Sequence, residues 1–271
     1  MFLDWDRYEE WGAEAGVWLD NRFGAAILDR LRPSQPEDWI EWLDREHAAH
    51  GGAAGSVVED FSFWLHARYQ GIRIVHATRL PGLNPVRESG LRAWTGEELR
   101  TRARAEFATQ VAEHQLSQAI EQCAPDHRGG RVYSFSSLDF TLGMSEGHLP
   151  GHLPQFATAG GEYVGCLRDR LGLQGSEGAR ADHAYFLACN VLWDRLEPQI
   201  QMTLMRDALG TALVLRCFPQ DNYSRHTLEC VSVHHDILPN EIEWFSDVEH
   251  LVGRTDLAVT DIVWSAFART S

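Results

Sequence analysis

The sequence of 271 residues contains no lysine, so the 24 residues counted as Lys plus Arg are all arginine. That absence excludes a P-loop lysine, a Schiff-base lysine and a lysine general base. Any phosphate must be held by arginine, helix N-termini or backbone amides. The plain explanation is a GC-rich genome, which fits the abundant alanine and arginine; the sharper one is a chain that escapes modification or tagging of itself. Long apolar runs are also missing: no stretch approaches the roughly 20 residues that a membrane span requires. The N-terminus is rich in Trp, Asp and Glu and lacks the basic and apolar regions of a signal peptide. The expectation is a soluble, cytoplasmic protein with no membrane partner. Positive charge is scarce. With 39 acidic residues and a net charge of -15, the surface as a whole is excluded as a nucleic-acid coat, although a local arginine patch stays open. The five cysteines are an odd number, widely spaced in mostly apolar surroundings, which fits reduced core thiols better than disulfides or a zinc knuckle.

What is present is enough apolar material, 44% of residues, to bury a full core. Trp5, Tyr8, Trp11, Ala15 and Trp18 recur at helical spacing. Ser34 and Glu37 bracket Pro36 as a capping box for a second helix through Trp39, Trp42 and Leu43, with Gly51 and Gly52 placed to stop it. Val58, Phe61, Trp64 and Leu65 mark a third helix, with Gly71 as its terminator. From Ile72 the pattern switches to β-branched residues, giving a strand that ends near Arg79. Asn84 and Pro85 then start a short helix capped by Gly90, and Thr95 with Glu98 opens a longer one carrying Phe107, Val111, Leu116 and Ile120. Residues 126–130 read as a loop and 131–135 as a half-buried strand. The Gly-rich stretch 141–161 holds a local Gly-His-Leu-Pro duplication and could cover a site. A helix over 162–171 and strands near 185–191, 212–218 and 227–234 complete an α+β chain. Residues 1–70 form an N-terminal helical subdomain and residues 71–271 the domain that follows.

His76 is the first candidate for chemistry, on a strand followed by a short helix bordered by Asn84-Pro85 and Gly90. A strand histidine serves packing as readily as binding, so the context has to decide. Tyr133 on the middle strand is an aromatic of the same double nature, with Phe135 as its neighbouring alternative. Other constellations carry less. His47 and His50 are three apart, and His148 and His152 are separated by Pro150, so neither makes the helical pair of a zinc protease and no metal is expected. Ser134, Ser136 and Ser137 sit in no nucleophile elbow. The acidic run from 229 to 261 reads as a solvated face that could meet a basic partner.

The order strand, His76-Ala77-Thr78-Arg79, loop, short helix, Gly90-Leu91-Arg92 resembles the first motif of ADP-ribosyltransferases of the His-Tyr-Glu group. That group includes poly(ADP-ribose) polymerases, diphtheria-type toxins and DNA-modifying toxins. The resemblance covers about 20 residues strongly, and Ala77 departs from the glycine common there. It implies an ADP-ribosyltransferase-like split β-sheet behind the helical layer, with NAD as co-substrate. His76 would hold a ribose hydroxyl, supported by Thr78, Ser134 and the backbone beside Ala77, and Arg79 or Arg73 would meet the pyrophosphate. Tyr133 would stack on nicotinamide. A carboxylate must stabilise the positive charge that develops on the sugar. Glu229, ahead of Cys230-Val231-Ser232-Val233, is preferred for that role, and Glu162, after Gly160-Gly161, competes with it. ADP-ribose would pass to a protein, a nucleic acid or water, and a partner protein such as an antitoxin fits the toxin branch. Two alternatives stay open: an RNA 2′-phosphotransferase of the related fold, favoured by an arginine-lined pocket around His76, and an inactive member of the fold serving as an interaction module.

Overall fold

The computed structural model describes residues 1–31, 36–49, 56–138, 142, 153, 162–173, 182–218 and 230–267, with side chains left out at 36–38, 47 and 162. The fold is α+β. In chain order the described helices are α1 (Tyr8–Phe23), α2 (Ala25–Leu28), α3 (Pro36–Ala49), α4 (Val57–Arg68), α5 (Asn84–Ser89), α6 (Gly96–Phe107), α7 (Glu113–Gln122), α8 (Pro125–Arg128), α9 (Glu162–Arg170) and α10 (Pro198–Cys217). The strands are β1 (Phe2–Leu3), β2 (Gly71–Leu80), β3 (Arg131–Ser134), β4 (His183–Leu192), β5 (Val231–His234), β6 (Ile242–Asp247) and β7 (Ser265–Ala266). The chain divides into two compact units, Met1–Ile72 with Leu192–Leu228, and Arg73–Val191 with Glu229–Ser271.

The first unit is helical. Trp11, Ala15 and Leu19 bury one face of α1, while Trp39 and Leu43 do so on α3 and Phe61 and Leu65 on α4. Each such large side chain contributes about 1.5–3 kcal/mol by leaving water. Trp5 itself sits in a 3-10 turn just ahead of α1, started by Asp4, whose side chain accepts from the Asp6 amide. Gly12 lets α10 approach closely, since a Cβ there would fall 2.4 Å from the Leu215 Cδ1. Arg216 of α10 answers Asp20 of α1 at 2.7 Å. β1 pairs in parallel with Gly71 and Ile72.

Two expectations fail in this unit. Residues 212–218 are not a strand: Ala212 and Leu213 continue the buried face of α10 begun by Leu204, Met205, Ala208 and Leu209. A short apolar run does not by itself separate a strand from a buried helix. Gly71 does not end the third helix either. The chain turns extended at Tyr69, and Gly71 already belongs to the strand. That helix starts instead at a capping box of Ser56 and Glu59, where the serine hydroxyl accepts from the Glu59 amide at 3.2 Å. The expected cap at Ser34 and stop at Gly51-Gly52 lie outside the described residues.

In the second unit β2, β4, β6 and β7 lie side by side in that order, and β3 and β5 form a separate antiparallel pair. Beyond β3, Phe135 exchanges backbone hydrogen bonds with Val75 of β2 at 2.9 and 3.0 Å. Val75, Ala77, Phe135, Ala184 and Phe186 share one core. A second core joins α6, α7 and α9 through Leu99, Phe107, Leu116, Ile120 and Leu167. The long helix expected from Thr95 is two helices broken over 108–112. Near the break the Gln110 side chain donates to the Glu106 carbonyl at 2.9 Å, competing with the helical ladder. Residues 125–128 form a helical turn rather than a loop. Cys123 and Cys166 are joined by a disulfide between Cα atoms 6.2 Å apart, which corrects the expectation of uniformly reduced thiols. No described helix is long and apolar enough to cross a membrane.

Candidate functional site

Alternation along β2 is what aims the site. Val75 and Ala77 point into the core, so His76 and Thr78, on the opposite face, border a cavity of about 380 Å³. That volume lies in the ordinary range of small-ligand sites. One wall is strand: His76, Thr78 and Arg79 of β2 with Val132 and Tyr133 of β3. The opposing wall is helical and comes from Trp94, α6, α8 and α9. The rim passes through Gly90, whose φ is +75° and where a Cβ would lie 2.0 Å from the Ile237 carbonyl oxygen. Glycine is required there so that Leu91 can pair with Ile237, its amide donating at 2.8 Å.

The ring of His76 is fixed. Its Nδ1 lies 2.8 Å from the carbonyl oxygen of Tyr133, 57 residues away in sequence. A carbonyl only accepts, so Nδ1 carries the proton and donates. Burial lowers the pKa to about 4, outweighing the opposite effect of the hydrogen bond to the Tyr133 carbonyl. At neutral pH the ring is therefore uncharged, with its lone pair on Nε2. Nε2 is thus the ring atom able to accept a hydrogen bond.

The other expected residues divide. Tyr133 borders the cavity and its hydroxyl donates to the His127 carbonyl at 3.3 Å. Phe135, its alternative, is committed to the core, edge-on to Phe186 at 5.9 Å. Thr78 borders the cavity. The side chain of Ala77 faces the core, leaving only its backbone for a ligand. Arg79 reaches the wall but is held by Glu249 at 3.0 Å and by the Asp182 carbonyl. Arg73 pairs with Glu243 and lies outside the cavity lining. Ser134 is buried and does not border the cavity. Glu162 opens α9, immediately before Tyr163, which does border it. Glu229, with the 143–152 and 154–161 stretches, lies outside the described residues.

Sequence reasoning missed the helical wall. Trp94 has the guanidinium carbons of Arg92 and Arg102 each 4.4 Å from its ring centre. Arg92 also pairs with Glu98 at 2.8 Å. Desolvation, and then the positive charge of Arg92, lower the pKa of Arg102. Glu106, one turn further along α6, is drawn to Arg168 at 3.6 Å. Tyr163 is 9% exposed and its hydroxyl is buried with no hydrogen-bond partner among the described residues. Burial raises its pKa, against the smaller effect of nearby Arg100 and Arg128. The one available signal was the run Arg100, Arg102 and Arg104 on a helix that buries Leu99, Ala103 and Phe107, and such a run reads as solvated charge flanking an apolar face. Among the described residues no group of three or more His, Cys, Asp or Glu side chains could hold a metal.

No family model, curated protein or solved structure matches the chain.

Proposed function

We propose that the protein is an NAD-dependent ADP-ribosyltransferase with an ADP-ribosyltransferase-like split sheet, cleaving the bond between nicotinamide and ribose and passing ADP-ribose to a macromolecule or to water. The observation that carries this reading is the meeting of His76 and Tyr133 at one cavity, joined by a hydrogen bond that leaves Nε2 of a neutral histidine as an acceptor. Such an acceptor suits a ribose hydroxyl, and the Tyr133 ring beside it offers a face for a planar amide-bearing ring. The sugar becomes positively charged as nicotinamide leaves, and a fixed carboxylate lowers that barrier. Glu229 or Glu162 supplies it in this reading, with Glu229 preferred.

The test is release of nicotinamide from NAD by the full chain in cell extract, with label transfer followed in parallel. His76→Ala and Glu229→Ala should each reduce turnover at least a hundredfold. Loss in Glu162→Ala alone moves the carboxylate to α9. Unchanged turnover in both His76→Ala and Glu229→Ala defeats the assignment.

A further inference from the structure

We propose that the Cys123–Cys166 disulfide is a redox-sensitive clamp on the helical wall of the cavity, holding α9 in place while oxidised and releasing it when an external dithiol reduces the bond. The clamp itself does not depend on the NAD reading; its effect on NAD binding rests on that reading.

The bond stands where the parts of that wall meet. Cys123 closes α7, and Cys166 lies in the middle of α9, which brings Tyr163, Val164 and Leu167 to the cavity. On its other side Cys123 leads into α8, whose Arg128 also borders the cavity and donates to the Cys123 carbonyl at 2.5 Å. Between them Ala124 has a φ of +47°, a left-handed conformation that disfavours any residue with a Cβ and persists only where its surroundings hold it. Freeing Cys123 lets that turn relax.

α9 needs the clamp because it is short. It has 9 residues, and an isolated helix below about 12–15 residues is marginal in water, so tertiary contacts must hold it. Tyr163 and Leu167 pack into the core shared with α6 and α7, Arg168 reaches Glu106 at 3.6 Å, and the disulfide adds the covalent tie. Cutting that tie lowers the cost of opening this one element. The strand wall, held by ladder hydrogen bonds, stays.

The bond is reachable from one end. Cys123 is fully buried, whereas Cys166 is only partly so. A dithiol thiolate attacks the Cys166 sulfur, and the Cys123 sulfur leaves. The second thiol of the reagent then displaces Cys166. Two electrons pass from the reagent, which ends as a disulfide, and the two protons its thiols lose end on the two cysteines. Cys189, Cys217 and Cys230 are free throughout, so alkylation after reduction should count two new thiols.

The test is amide hydrogen exchange on the folded full chain, oxidised, reduced with dithiothreitol, and reoxidised with oxidised glutathione. Reduction should speed exchange in α9 about tenfold or more and leave β2 and β3 unchanged, and reoxidation should restore protection. Cys166→Ser should exchange like the reduced wild type and ignore dithiothreitol. NAD affinity by calorimetry should fall about tenfold in both loosened forms. A bond that survives excess dithiothreitol in the folded chain, equal α9 protection in both states, or acceleration that spreads equally to β2 would overturn the proposal. So would measurable and equal NAD affinity in the two states. If α9 responds and NAD binds neither state, the transferase reading fails and the clamp stands.

Discussion

The two walls of the cavity are built on opposite terms. On the strand wall the polar groups are spoken for: His76 donates to Tyr133, the Tyr133 hydroxyl to His127, and Arg79 is held by Glu249. On the helical wall the exposed Arg102 lies over the Trp94 ring and the buried Tyr163 hydroxyl has no hydrogen-bond partner among the described residues, while a disulfide ties α9 to the end of α7. The strand wall thus presents a fixed acceptor and the helical wall a cationic and aromatic surface. A ligand that satisfies both must bring hydroxyls to one side and anionic oxygens to the other. Nucleotides do so.

The contrast can be broken or sharpened by graded perturbations. The largest effect should come from Phe135→Ala, which empties the core behind His76. Phe135 is 2% exposed, and a loss of about 3–5 kcal/mol is expected in chemical denaturation, with the His76 pKa rising toward its ordinary value as water enters. Cleaving the Cys123–Cys166 bond should act on the other wall. Their separation of 43 residues corresponds to at most about 4 kcal/mol of loop-closure stabilisation, lost on reduction or in Cys166→Ser. Amide exchange should then quicken in α7 and α9 and not in β2.

A third effect is pH-dependent. The folded pKa of His76 lies near 4 and the unfolded value near 6.5, so between them the unfolded chain binds the extra proton. Stability should fall as pH drops from about 6.5 to 4, by roughly 3 kcal/mol at most, and level off below. His76→Asn should abolish that slope. The smallest effect is expected in Tyr163→Phe without ligand. Removing an unpaired buried hydroxyl should leave stability unchanged or raise it by up to about 1 kcal/mol, whereas a loss of 2 kcal/mol would mean the hydroxyl has a partner.

Local chemistry was the legible part of the fold. The capping box of Thr95 and Glu98 rests on contacts within three residues, and it stands as expected, as do the strand from Ile72 and the short helix that stops at Gly90. Tertiary effects were not legible. The apolar segment 212–218 suits either secondary structure, and only the continuous buried face of α10 makes it helical. The proximity of Cys123 to Cys166 depends on how α9 packs, which their spacing does not announce. The site shows the same division. His76 and Tyr133 were found because strand alternation aims them. Arg102 and Tyr163 were missed because an arginine on an exposed helix face and a tyrosine in the first turn of a helix look ordinary until the cavity beside them is seen.

The central claim is that His76 accepts from a nucleotide hydroxyl in this cavity. Its most direct test is NAD titration followed by nitrogen-15 NMR of the His76 ring. The account predicts a neutral ring protonated at Nδ1 throughout, with Nε2 alone shifting on NAD addition. A ring protonated at Nε2 in the free protein, or an unchanged Nε2 at saturating NAD, would contradict it.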